Sequence, residues 1–149
     1  MNASLAGGVM IGTSSGILVN PGISLCIGLF AGFISTLGFR YLQDKLDNWI
    51  GLKDTCGINN LHGIPGILGG IIGAIVIASY GSTPLSNESQ ISYLPFYPQS
   101  STNLNSFGRT FHQQAGCQIA GVCISMGLGI VFGVLAGYSM RIVYAFTSE

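Results

Sequence analysis

The chain has 149 residues, and only 7% of them are Asp, Glu, Lys or Arg, against about 25% in an ordinary soluble domain. Five basic and five acidic residues cancel, so net charge directs the chain toward neither nucleic acid nor an acidic partner. Residues 1–39, 55–87 and 110–140 contain no Asp, Glu, Lys or Arg at all, which excludes a soluble enzyme and specifies a lipid bilayer as the surroundings.

A spanning helix needs about 20 mostly apolar residues, and four stretches qualify as candidate spans. The first, residues 3–19, stops at Asn20-Pro21-Gly22, a turn signal in which proline cannot continue a helix. The second, residues 23–42, runs into the charged stretch of Arg40, Asp44, Lys45, Asp47, Lys53 and Asp54. The third, residues 57–80, gives way to a loop over 81–109 rich in Ser, Asn, Pro and Tyr. The fourth, residues 114–138, is predicted to continue past Arg141 as helix beyond the membrane. The predicted fold class is therefore all-α: a polytopic transmembrane helix bundle, integral to the membrane and multi-pass.

Glycine is spaced as well as abundant. Gly8, Gly12 and Gly16 recur every fourth residue in the first span, and Gly129, Gly133 and Gly137 do so in the last. Gly28 and Gly32, and Gly66 and Gly70, repeat the spacing between them. Residues four apart share a helix face, so each series predicts a flat groove for close approach by another helix. Cys26, Cys56, Cys117 and Cys123 show no paired spacing of a zinc or redox site and read as small packing residues.

Lys and Arg set the orientation. Residues 40–53 hold three of the five, whereas the longer loop 81–109 holds one. The bias places residues 40–53 and Arg141 in the cytoplasm and the loop outside. Asn87-Glu88-Ser89 then lies where an N-glycosylation sequon can be used, making Asn87 a candidate acceptor.

One ionisable side chain stands within an otherwise uncharged span: His62. Such a group at membrane depth is by default a functional-site hypothesis; the bland alternative is a hydrogen bond to a neighbouring helix. Its surroundings favour function. Gly63 and Gly66 leave the helix surface bare, Pro65 frees the Leu61 carbonyl, and Asn59 and Asn60 add polarity to the same turn.

Residues 54–70 (DTCGINNLHGIPGILGG) closely resemble the signature of the Rh branch of the ammonium transporter/Rhesus glycoprotein family. The opening from Asn2 to Gly8, Ile34-Ser-Thr-Leu-Gly38 and the stretch 109–138 resemble further helices of that family, so the likeness covers nearly the whole chain. It implies a partial ammonium-transporter fold, the C-terminal part with about the last four membrane helices. In the family, two inverted halves surround a narrow pore in each subunit of a homotrimer, commonly in the plasma membrane. His62 would match the second of the paired pore histidines, its partner lying outside this chain. Ile58, one turn earlier, would narrow the inner exit, and Asp54 would anchor the helix start through its free N–H groups.

The implied substrate is ammonia or ammonium. An ammonium ion in a dry pore faces an idealised desolvation cost of about 20 kcal/mol, which neutral ammonia avoids. Imidazole donates or accepts at each nitrogen, so it can hold a neutral polar molecule without a fixed charge. No cofactor, metal, nucleophilic or redox step is called for. The competing reading is a non-conducting helix bundle that packs with full-length relatives.

Overall fold

The computed structural model describes residues 1–18, 20–51, 53–80 and 111–147. Helix α1 (Asn2–Gly12) is followed by α2 (Pro21–Leu37), which passes through a π-helical turn (Gly38–Leu42) into α3 (Gln43–Ile50). A second π-helical turn (Asn59–Gly63) leads into α4 (Ile64–Tyr80), and α5 (Phe111–Thr147) completes the chain. The predicted loop 81–109 and Asn87 lie outside the described residues.

Among the described residues, three helical stretches are long and apolar enough to cross a membrane: Pro21–Ile50, Asn59–Ser79 and His112–Thr147. The first run of apolar residues behaves differently. Helix α1 stops at Gly12, and Thr13 to Ile17 continue in turns, so residues 3–19 do not form one unbroken helix. Eleven residues rise only about 16 Å, roughly half of a hydrocarbon core. The sequence Thr13-Ser14-Ser15-Gly16 explains the break. Hydroxyls of Thr13, Ser14 and Ser15 bond back to the carbonyls of Met10, Ile11 and Gly12, competing with the helical ladder.

Local signals start and stop the second helix cleanly. Asn20 adopts extended backbone, and its Oδ1 accepts from the Gly22 N–H at 2.8 Å, while Pro21 supplies a first position that needs no N–H partner. At the far end Gly51 takes a left-handed conformation (φ +68°) and closes α3. From Pro21 to Ile50 the helix is continuous over 30 residues, about 45 Å, so its charged end extends beyond a bilayer core.

Close backbone approach holds the bundle together, as expected where lipid removes any hydrophobic drive between helices. A Cβ on Gly7 would lie 3.2 Å from the Gly28 carbonyl oxygen, and one on Gly32 would lie 3.3 Å from Ala3. On its other side α1 meets α4, where a Cβ on Gly69 would come within 2.5 Å of the Met10 carbonyl oxygen. Helix α4 then meets α5, with Gly70 facing the Val122 side chain and Gly73 near Gln118. The helices therefore stand in the order α2–α1–α4–α5, with Ala6, Met10, Ala31, Ala74 and Ile77 buried between them.

The glycine faces differ in part from those the fourfold spacing predicts. A Cβ on Gly8, Gly12, Gly129 or Gly133 would meet nothing within 4 Å, whereas Gly66 lies 4.0 Å from Val9 and Gly70 is in contact with Val122. Between α1 and α2 the contact falls one residue away, on Gly7 rather than Gly8, because the side of α1 that carries Ala6, Gly7 and Met10 is the buried one. Helix α5 touches the bundle only through its first turns, and every described residue beyond Val122 is exposed. The four cysteines are likewise exposed and free rather than packed.

Candidate functional site

The segment before α4 is wound with one residue more per turn than an α-helix. The Ile64 N–H reaches back five residues to the Asn59 carbonyl, and the turn so closed contains Asn59, Asn60, Leu61, His62 and Gly63. Pro65 lies next along the chain and is buried. Lacking an N–H, it cannot serve as helical donor to the Leu61 carbonyl, and its ring crowds that carbonyl; opening the ladder by one residue relieves the crowding.

Asp54 holds the start of this turn. One carboxylate oxygen accepts from the Ile58 N–H and the other from the Asn59 N–H, each at 2.8 Å. These are donors that a helix start leaves without intrahelical partners, and a carboxylate there also opposes the positive end of the helix dipole. The chain reaches the turn through Gly57, whose φ of +68° suits glycine and whose Cα side is filled by the Phe39 ring.

The two faces of the turn have opposite surroundings. Asn60 is 1% exposed and faces Gly38 of the first π-turn, where any side chain would overlap its carbonyl oxygen. His62 is exposed, and Ile58, one turn before it, is 58% exposed. Among the described residues the His62 imidazole has no hydrogen-bond partner on a neighbouring helix. Asp54 thus lies under the same turn that presents Ile58 and His62, while Gly63 and Gly66 flank it; Gly63 is spaced from the Asn59 carboxamide by 3.0 Å at its would-be Cβ.

Gln43 was not indicated by the sequence. Its Nε2 donates to the Asp54 carbonyl at 2.7 Å, and its Oε1 accepts from Asn60 Nδ2 at 3.4 Å. These partners stand 11 and 17 residues away, beyond any local periodicity. The only sequence signal is an uncharged amide placed between Arg40 and Asp44. Among the described residues no group of three or more His, Cys, Asp or Glu is placed to hold a metal ion.

Comparison with known proteins gives this arrangement its context. Residues 1–147 match the family model described as Ammonium Transporter Family. Among curated proteins, the rat ammonium transporter Rh type C is 38% identical over 150 residues, covering 96% of this chain and 28% of the relative. The Bos taurus ammonium transporter Rh type C is 41% identical over 143 residues, 96% of this chain and 30% of the relative. The Oryzias latipes ammonium transporter Rh type B is 38% identical over 141 residues, 95% and 29%. This chain therefore spans under a third of the length of these relatives. With three helices apolar enough to cross a bilayer and a family match along nearly its whole length, this membrane protein belongs to the Ammonium Transporter Family.

Proposed function

We propose that the chain forms one wall of a membrane channel for ammonia/ammonium, and that His62 lines the path of neutral NH3. The observation that carries this reading is the joint one: residues 1–147 match an ammonium transporter family, and His62, on an anchored π-turn at the start of an apolar span, stands exposed and without a partner among the described residues. π-Turns inside α-helices are frequent at functional sites, which supports the same reading. A partner histidine missing from this chain would complete the site. The full assembly would be a homotrimer, multi-pass in the plasma membrane, acting as a channel and not an enzyme.

The chemistry follows from the solvent. In a narrow apolar passage the cation must shed its hydration, whereas ammonia needs only a hydrogen-bond partner at each step. An imidazole that can donate or accept meets that need without adding charge. Ile58 would keep the exit dry, so that the hydrogen bond to His62 competes with no bulk water. The open faces carrying Gly8, Gly12, Gly129 and Gly133 would receive helices from the remainder of the assembly, and the exposed length of α5 would meet them or lipid. That exposure also supports the second reading, in which this chain packs with longer relatives and conducts nothing by itself.

The test is a chimera in which this whole chain replaces the 150 matched residues of the rat relative, reconstituted in liposomes and assayed for ammonia flux by stopped-flow pH change. His62→Ala or Leu removes a partner that apolar wall cannot replace; at ~1–3 kcal/mol for a stranded buried group, flux should fall about 5- to 150-fold. His62→Glu should admit the cation and produce electrogenic current. Normally assembled variants with unchanged flux and selectivity would eliminate the pore role of His62. Flux from this chain reconstituted alone would eliminate the second reading.

A further inference from the structure

Residues Gln43, Asp54 and Asn60 close a ring of hydrogen bonds behind the turn that carries His62. The Gln43 amide donates to the Asp54 carbonyl and accepts from Asn60, while the Asp54 carboxylate accepts from the two residues just before Asn60. Asn60 is the one fully buried side chain of the turn, so whatever holds it fixes the rotation of the turn about its axis. Its hold is slender. The Asn60 carbonyl oxygen is buried without a partner, and the space between Gln43, Leu46, Asp54, Asn59 and Asn60 has no room for a water molecule. A single bond, to Gln43, therefore orients the carboxamide.

This matters because a π-turn is not the default. The same five residues could wind as α-helix, which turns about 100° per residue and would redirect their side chains relative to the neighbouring helices. Asn60 keeps its buried place against Gly38 only in the observed winding, and Gly38 itself belongs to the other π-turn. The two unusual turns are thus fitted to each other, and the Gln43–Asn60 bond ties the second to the first residue of α3, whose own N–H closes the first on the Gly38 carbonyl.

We propose that Gln43 and Asn60 are positioning residues for His62, holding its turn in the π-helical winding that presents the imidazole to ammonia. This rests on the pore role of His62 proposed above. The bonded pair acts from the face opposite the substrate path and touches no substrate.

A double-mutant cycle in the rat chimera tests it, with flux measured per assembled channel. Gln43→Met keeps the length of the side chain and removes its amide. The substitution removes both Gln43 bonds, and loss of the one to Asn60, worth a net ~0.5–1.5 kcal/mol, should lower ammonia flux about 2- to 10-fold. In a His62→Ala background the same substitution should change flux no further, because there is no imidazole left to position. Asn60→Leu, which removes the amide from the other end, should give the same pair of results and serves where Gln43→Met fails to assemble. Unchanged flux in both single variants overturns the proposal. An equal fractional loss with and without His62 also overturns it, since a merely structural role acts regardless of the imidazole. Should His62→Ala itself leave flux unchanged, the pore reading falls and takes this inference with it.

Discussion

Replacing Asp54 by Ala strips the acceptors from two backbone donors at once, those of Ile58 and Asn59. The Asp54 carbonyl, which would be the ladder acceptor for the Ile58 N–H, already accepts from the Gly57 N–H and from Gln43 Nε2. Capping residues cost 0.5–2 kcal/mol when truncated to Ala, and a carboxylate at both bonds belongs at the upper end; about 2 kcal/mol corresponds to about 30-fold in a local opening equilibrium. Amide hydrogen exchange read by mass spectrometry on peptides covering Ile58 and Asn59, with the chimera in nanodiscs, reports that equilibrium at the site itself. Exchange there should accelerate about 30-fold in Asp54→Ala. Asp54→Asn retains one acceptor and turns a donor toward the other N–H, so it should fall between, at about 5-fold for roughly 1 kcal/mol. Identical exchange in Asp54→Ala and the parent would refute the anchoring role. Equal acceleration in the Asn and Ala variants would refute the assignment of one bond to each oxygen.

The packing and the topology offer further checks. Gly69→Ala places a Cβ against the Met10 backbone carbonyl, which cannot rotate aside, whereas Gly66→Ala meets only the tip of Val9 at 4.0 Å. The first should cost ~1–3 kcal/mol and lower the thermal midpoint in detergent, and the second should be close to neutral; matched midpoints would contradict the α1–α4 contact. With the four cysteines replaced, a new cysteine at Ser86 should react with an impermeant thiol reagent on intact cells, and one at Asn48 should not. The reverse pattern would overturn the orientation set by the Lys and Arg bias.

Charge and capping made most of the helices legible in the sequence. The absence of charge from residues 1–39, 55–87 and 110–140 reflects the cost of desolvation directly, and Asn20-Pro21 is a helix start that context rarely overrides. An ionisable group in an uncharged span marks His62, and the family signature in residues 54–70 adds Ile58 and Asp54. Two features stayed hidden for physical reasons. Apolarity says how a segment meets lipid, not how its backbone winds, so neither the stop at Gly12 nor the two π-turns could be read from hydropathy. Contact faces were obscured in a different way. Where glycines crowd every helix, spacing marks several possible grooves, and only the assembled bundle selects Gly7 over Gly8 or joins Gln43 to Asn60 across 17 residues.

The extra residue in the turn at Asn59–Gly63 also shapes how this chain can diverge. A substitution changes a side chain where it stands; deleting one residue from the turn would restore ordinary α-helix and swing Asp54 and Ile58 by about 100° relative to α4. The site is therefore far more vulnerable to loss of a single codon than to exchange of one apolar residue for another. In descendants of such a gene, length across residues 54–70 is the quantity selection must guard, and a one-residue deletion there would turn Asp54 away from the start of α4 while leaving the spans Pro21–Ile50 and His112–Thr147 untouched.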